Sequence, residues 1–217
     1  NGAHASTAPP ATPMNRPPRT APSNAPGKVR LIGGRWRGTR LAVPDVAGLR
    51  PTSDRVRETL FNWLAPVLPG ARVLDLFAGS GALGLEALSR GAAAAVLVER
   101  DRALAGALRE LLGRLQGGDA GTVVQADALA WLASQPDGGF DLAFLDPPFA
   151  GGLWEAVLPL LVAKLKPEAW LYVESPQAAA PVLPPDWRLH REGQTREVRY
   201  ALYRRSAAAT LPASPGS

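Results

Sequence analysis

The chain has 217 residues, 46% of them hydrophobic, and a formal net charge of +5, which allows one buried core with appendages. The lack of cysteine excludes disulfides, thiol catalysis and cysteine zinc sites, and two histidines are too few for a metal cluster, so we expect no bound metal. We find neither an apolar run long enough to span a membrane nor the order of a signal peptide, and expect a cytoplasmic protein without membrane contact.

Basic residues are concentrated near the start of the chain. Residues 1–60 contain ten Lys and Arg against three acidic residues, a charge of +7, whereas the remaining residues carry −2. This asymmetry favours a polyanionic partner bound by the first segment. A basic face that is only solvated would give the same charge distribution in the sequence.

Composition divides the chain into four segments. Residues 1–27 and 206–217 are predicted to be disordered tails, because they are poor in bulky apolar side chains. Residues 28–66 form the predicted RNA-docking segment, and residues 67–205 the main domain. In the docking segment, residues 29–43 read as a basic β-hairpin, and residues 54–64 as a helix with Val56, Leu60, Phe61 and Leu64 on its apolar stripe and Arg55 and Arg57 on other faces.

Beyond Gly70, short apolar strands alternate with helices, which predicts a mostly parallel sheet covered on both faces. A short helix is expected to open at Ser175 and Pro176, and an antiparallel hairpin to turn at Gly193. The predicted fold is therefore α/β and doubly wound, with an N-terminal basic hairpin and a C-terminal antiparallel hairpin. This arrangement resembles the Rossmann-like architecture of class I methyltransferases, an analogy of fold that does not by itself fix function.

The segment LDLFAGSGALG leads from a strand into a helix, and Gly79, Gly81 and Gly84 fit G-x-G-x-x-G. Such a loop brings backbone N–H groups close to a nucleotide-type cofactor. Glu99, at the end of the next strand, suits the ribose hydroxyls of either NAD or S-adenosylmethionine. Asp75 favours S-adenosylmethionine, because a carboxylate before the glycines would repel a pyrophosphate but attract a cationic amino-acid end. Asp127 follows the third strand and suits either an adenine contact or a helix N-cap.

A second motif, LDPPFA, ends the strand FDLAFLD. Successive prolines fix an extended backbone whose carbonyls can point outward. An exocyclic base amine has a delocalised lone pair, so acceptors on its two hydrogens would favour the nucleophilic form. We expect the Asp146 carboxylate and the Pro147 carbonyl to be these acceptors, and Phe149 to stack on the base. An ordinary strand-ending turn is the alternative for this motif alone.

The basic front end contains GGRWRGTR and LRPTSDRVRETLFNWL. Arginines can bind phosphates and Trp36 could stack on unpaired bases, unless the tryptophan is partly core and the arginines only solubilise the surface. The residues predicted to bind RNA are Arg35, Trp36, Arg37, Arg40, Arg50, Thr52, Arg55 and Arg57.

These motifs, together with VER, LYVES and WRLHRE, resemble the bacterial 16S ribosomal RNA guanine-N2 methyltransferases that modify guanine 966, over about residues 28–205. The resemblance implies a monomer that uses S-adenosyl-L-methionine on 16S rRNA in the 30S subunit or an assembly intermediate. It carries Asp146, Pro147, Pro148 and Phe149 over as the target-amine site. The predicted cofactor-binding residues are Asp75, Phe77, Ala78, Gly79, Gly81, Glu99, Arg100, Asp127, Ala128 and Asp146.

Three other functions stay open at this point. The motif Asp-Pro-Pro-aromatic is shared with adenine-N6 methyltransferases acting on DNA or RNA. The glycine loop alone would also suit an NAD-dependent oxidoreductase, which would have no use for LDPPFA. A module that binds ribosomal RNA without catalysis would explain the basic segment only.

Overall fold

The computed structural model describes residues 28–42, 52–148 and 153–206. Arg50, Phe149 and the two segments predicted to be tails lie outside the described residues, except Ser206. Within those residues a seven-stranded sheet has the order β5-β4-β3-β6-β7-β9-β8, and a separate two-stranded hairpin pairs β1 with β2. The strands are β1 (Lys28–Arg30), β2 (Arg40–Ala42), β3 (Arg72–Asp75), β4 (Ala94–Glu99), β5 (Gly121–Gln125), β6 (Phe140–Leu145), β7 (Leu165–Pro176), β8 (Trp187–Gln194) and β9 (Val198–Arg205).

The predicted doubly wound sheet is confirmed. Strands β3 to β7 pair in parallel, and β9 runs antiparallel to both β7 and β8. Successive side chains of a strand point to opposite faces, so Val73 packs into one apolar cluster and Leu74 into the other. The helices are α1 (Asp54–Leu64), α2 (Ala82–Ser89), α3 (Arg102–Arg114), α4 (Ala128–Ala133) and α5 (Leu153–Lys164).

The helix α1 has the bounds and the apolar stripe that the sequence predicts, and Ser53 caps its N-terminus by accepting a hydrogen bond from the Val56 N–H. The expectation that Arg57 is exposed is wrong. Its side chain is 0% exposed, and it donates to the Arg30 carbonyl at 2.9 Å. Arg57 continues the apolar stripe, since it precedes Leu60, Phe61 and Leu64 by three, four and seven residues. It therefore anchors the hairpin from inside.

The β1–β2 hairpin is also fixed on α2 by Glu86, a fully buried residue. The Glu86 carboxylate accepts hydrogen bonds from the Ile32 and Gly33 N–H groups and from the Arg90 Nε, and lies 3.7 Å from the Arg57 Nη1. Backbone donors and guanidinium groups thus surround one buried charge, as burial of a carboxylate requires.

Trp36 lies inside this junction rather than on its surface. It is 5% exposed, its Nε1 donates to the Gln116 carbonyl at 2.9 Å, and its backbone N–H donates to the Ser89 hydroxyl. The prediction of an exposed stacking platform is wrong, because the large ring is packed between the hairpin and the main domain.

Two predictions for the C-terminal part are wrong. The segment Ser175–Pro176 continues strand β7, where Pro176 pairs with Val198 of β9, instead of opening a helix. Gly193 lies inside β8 opposite Tyr200, and the chain reverses at residues 195–197. A Cβ atom at Gly193 would collide with the Tyr200 ring, so packing against an aromatic neighbour explains this glycine.

Candidate active site

The carboxyl ends of the parallel strands carry a row of acidic residues. Asp75 ends β3, Glu99 ends β4, Asp127 follows β5, Asp146 follows β6 and Glu174 lies near the end of β7. All five line one cavity of about 770 Å³, within the range of small-molecule sites. Ligands of open α/β sheets bind at this edge. The two motifs that the sequence analysis treated separately therefore meet in one site.

Asp75 is 2% exposed, and its Oδ2 accepts a hydrogen bond from the Gly84 N–H at 2.9 Å. Burial raises the pKa of Asp75 to about 7; the Gly84 N–H opposes the shift and the charge of Glu99 adds to it. Gly81 adopts a positive φ of 80° at the N-terminus of α2, a conformation that suits glycine. The loop thus leaves a buried carboxylate at the cavity without a cationic side chain to pair with it, among the described residues.

The remaining predicted cofactor-binding residues fall at the same edge. The Asp101 N–H donates to the Glu99 carboxylate, and Asp127 caps α4 by accepting from the Ala130 N–H. The N-cap role of Asp127 is confirmed and leaves its side chain at the cavity wall. The cavity is lined by Phe77, Ala78, Gly79, Arg100 and Ala128 in addition to the acidic row, whereas Gly81 does not line it.

The Asp-Pro-Pro segment enters the cavity directly after β6. Asp146, Pro147 and Pro148 line it, with Pro147 buried and Pro148 exposed. The pKa of Asp146 lies well above its ordinary value, mainly because the group is buried, and further because it faces the charges of Glu174 and Asp75. A hydrogen bond with Thr52 opposes this shift. Asp146 is therefore a stronger base than an ordinary carboxylate.

Sequence reasoning missed the group formed by Glu174, Thr52 and Tyr172. The Thr52 hydroxyl donates to the Glu174 Oε2 at 3.1 Å, and the Tyr172 hydroxyl donates to the same oxygen at 3.0 Å. Thr52 was predicted to meet RNA at the surface, but it is 8% exposed and lines the cavity. The sequence does contain a signal for Glu174. It is an acidic residue near the end of β7, the strand that follows the LDPPFA strand β6 along the chain.

The other residues predicted to bind RNA fall into two groups. Arg57 and Trp36 are buried, as described above. The side chains of Arg35, Arg37, Arg40 and Arg55 are exposed on the hairpin and α1. The Arg35 guanidinium lies 4.5 Å from the Trp36 ring centroid, a cation–π contact that orients it at the surface. An exposed basic surface on the docking segment is thus formed by four of the eight predicted residues.

Metal-binding clusters and membrane-spanning helices are absent from residues 28–42, 52–148 and 153–206. No group of three or more His, Asp or Glu side chains there is arranged to hold a metal ion. None of the helices in those ranges is long and apolar enough to cross a membrane.

The chain was compared with known proteins. A family model described as Conserved hypothetical protein 95 matches residues 29–204. The chain belongs to this family. A relative from Escherichia coli, named Ribosomal RNA small subunit methyltransferase D, is 53% identical over 184 residues, which cover 83% of this chain and 92% of that protein. A relative of the same name from Haemophilus influenzae is 44% identical, with 83% and 95% covered.

Solved structures support the family assignment and the fold. The structure of yhhF from Escherichia coli has a TM-score of 0.76 and 49% identity, covering 83% of this chain and 99% of that one. TrmN from Thermus thermophilus has a TM-score of 0.60 at 24% identity, covering 78% and 56%, and is similar in fold alone. The fold of the described residues is the Rossmann-like fold of class I methyltransferases.

Proposed function

We propose that this protein transfers a methyl group from S-adenosylmethionine to the exocyclic N2 of one guanine in small-subunit ribosomal RNA, guanine 966 of 16S rRNA. One observation carries the proposal: the Asp146-Pro147 segment and the Asp75 loop line the same cavity. The printed names of the relatives, which are small-subunit ribosomal RNA methyltransferases, support the RNA class. In the cell we expect a cytoplasmic monomer that acts on 30S subunits or assembly intermediates.

The residues at the cavity fit S-adenosylmethionine. Asp75 is a buried carboxyl group with no cationic side chain to pair with it among the described residues, and the cationic amino group of the cofactor would supply that charge. Glu99, on the neighbouring strand, would accept from the ribose hydroxyls. Asp127 would lie near the adenine. The bound cofactor supplies an electrophilic methyl group on a positively charged sulfur.

The Asp146-Pro147 segment would bind the attacking amine. The Asp146 carboxylate and the Pro147 carbonyl would each accept one hydrogen of the N2 amine, which localises the nitrogen lone pair and directs it at the methyl carbon. N2 then carries one proton too many, and a carboxylate whose pKa is raised is a suitable acceptor for it. Phe149, outside the described residues, would stack on the base.

The exposed arginines of the docking segment would bind RNA phosphates beside the cavity. Arg35, Arg37, Arg40 and Arg55 lie on the segment that carries most of the positive charge. The cavity itself is acidic and would receive only the target base. A base that is paired in the RNA must therefore leave its helix before it reaches Asp146.

The test is transfer of labelled methyl groups from S-adenosylmethionine to 30S particles and to 16S rRNA that lack native methylation, followed by digestion to nucleosides. We expect N2-methylguanosine at a single position. N6-methyladenosine would keep the cofactor and the fold but overturn the choice of base. Binding of cofactor without incorporation into either substrate would refute ribosomal RNA as the acceptor.

A further inference from the structure

We propose that Glu174 selects guanine over other purines by accepting a hydrogen bond from N1–H of the target base, beside the amine held at Asp146. This inference deepens the proposed function and rests on it. Glu174 would then be a specificity-determining residue that touches the substrate.

The first support is the state of the Glu174 carboxylate. Glu174 is a buried residue, 7% exposed, and it lines the cavity. Its Oε2 accepts hydrogen bonds from Thr52 and Tyr172, whereas its Oε1 accepts none within the described part of the chain. One oxygen is thus fixed by two hydroxyl groups from the protein. The other remains available to a ligand, and a ligand that displaces water from it must supply a donor in its place.

The second support is the position of Glu174 relative to Asp146. Leu145 of β6 pairs with Val173 of β7 in a parallel register. The residues that follow them, Asp146 and Glu174, are therefore neighbours across the two strands. The Thr52 hydroxyl donates to the Glu174 carboxylate and also lies beside the Asp146 carboxyl group. Adjacent strands lie about 5 Å apart, so two acceptors stand side by side at the cavity wall.

Guanine matches this pair of acceptors. Its Watson–Crick edge presents two neighbouring donors, N1–H and the N2 amine, and the amine is the group to be methylated. Adenine presents a lone pair at N1, which would face the free Glu174 oxygen and be repelled. A site built to accept a hydrogen bond rejects a ligand without the donor, because the buried acceptor stays unpaired.

The hydroxyl groups of Thr52 and Tyr172 make a glutamine substitution informative. Both are held as donors to Oε2, so the amide oxygen of Glu174→Gln would take that place. The amide NH₂ would then point into the cavity. A donor at this position would oppose N1–H of guanine but would bind the N1 lone pair of 2-aminopurine. That base keeps the 2-amino group but has no hydrogen at N1.

The experiment measures methyl transfer to reconstituted 30S particles that carry either guanine or 2-aminopurine at the target position. For the wild-type protein we expect kcat/KM to favour guanine by about 10- to 100-fold. In Glu174→Gln this ratio should fall by at least about tenfold or invert. Glu168→Gln is a matched control, since Glu168 lies on the same strand at its exposed opposite end. We expect its ratio to equal that of the wild type.

Each outcome is decisive. A ratio in Glu174→Gln equal to that of the wild type would overturn the assignment while leaving the proposed function intact. If the variant does not fold, the wild-type ratio still decides, because equal methylation of the two bases refutes selection at N1. Transfer to neither base by the wild-type protein would refute the proposed function itself and, with it, the inference. Binding of S-adenosylhomocysteine, measured by calorimetry, reports whether a variant has kept its cofactor site.

Discussion

The protein buries charge in two places, and the two are built differently. At the junction of hairpin and domain, the Glu86 carboxylate is surrounded by backbone N–H groups and two arginines. At the sheet edge, three carboxyl groups of the same sign surround a cavity: Asp75 and Glu174 are buried, Asp146 is half-buried, and removal from water raises the pKa of each. The first group is compensated within the protein, whereas the second is not.

This difference indicates what each group does. Opposite charges that neutralise one another within the protein leave no net charge for a ligand to offset. Like charges that are buried together are unfavourable, and they are retained where a ligand supplies the missing donors and cations. A cationic cofactor end and the hydrogens of a guanine edge would provide both at the acidic cavity. Four substitutions test the contrast.

The largest effect is expected at Glu86. Glu86→Ala leaves the buried Arg57 without its buried partner and the Ile32 and Gly33 N–H groups without acceptors. We expect a loss of roughly 3–5 kcal/mol in the free energy of unfolding, measured with urea. Asp54→Ala is the matched control: Asp54 also pairs with Arg57, at 2.6 Å, but its side chain is 77% exposed, so its loss should be below about 1 kcal/mol. Equal losses in the two variants would contradict a compensated junction.

Asp146 should matter for transfer and little for stability. Asp146→Ala removes one acceptor of the target amine, so we expect methyl transfer to fall by about 100-fold or more, as when a transition-state hydrogen bond is lost. It also removes one of three carboxyl groups of like charge, so we expect little loss of stability. The dissociation constant of S-adenosylhomocysteine should change little. Single-turnover transfer and calorimetry measure the two quantities. Near-wild-type transfer in this variant would refute the amine site at Asp146.

The sequence predicted the elements of the sheet and two of the three acidic residues at the cavity, but not the buried charges of the junction. Periodicity and motifs identified α1, the strands of the parallel sheet, Asp75 and Asp146, because these signals are local. Arg57 was assigned to the surface although it continues the stripe of Leu60 and Phe61. Its charge suggested solvent, and its partner Glu86 lies 29 residues away along the chain. Only the packing of α1 on α2 brings the two together.

The misplaced C-terminal features have a similar origin. Proline at position 176 suits either the first turn of a helix or an extended strand, and pairing with β9 decides for the strand. Gly193 suggested a turn, but the Tyr200 ring, which reaches it only after β8 and β9 have paired, explains it. Glu174 was missed for the same reason: its significance depends on its neighbours Asp146 and Thr52 across strands and loops.

The raised pKa of Asp75 gives a pH dependence to cofactor binding. Below pH 7 the carboxyl group is increasingly protonated and neutral, so the cationic end of the cofactor loses its partner; above pH 7 the carboxylate is charged. We expect the affinity for S-adenosylhomocysteine to fall about tenfold for each pH unit below 7. Calorimetry between about pH 5.5 and 7.5 measures this slope. In Asp75→Asn the affinity should be lower at neutral pH and the slope should disappear. A persisting slope would assign the dependence to another group.

The smallest effect is expected on the exposed basic surface, where Arg55 contrasts with Arg57 two residues along the same helix. Arg55 is exposed and available to phosphates, whereas Arg57 is confined to the junction. Arg55→Ala should weaken RNA binding several-fold and reduce the slope of log affinity against log salt by about one, because one phosphate contact releases about one counterion. Arg188→Ala, on the edge strand β8 at the end of the sheet, is the matched control and should leave the slope unchanged. Equal losses at Arg55 and Arg188 would mean that net charge, rather than the docking segment, attracts the RNA.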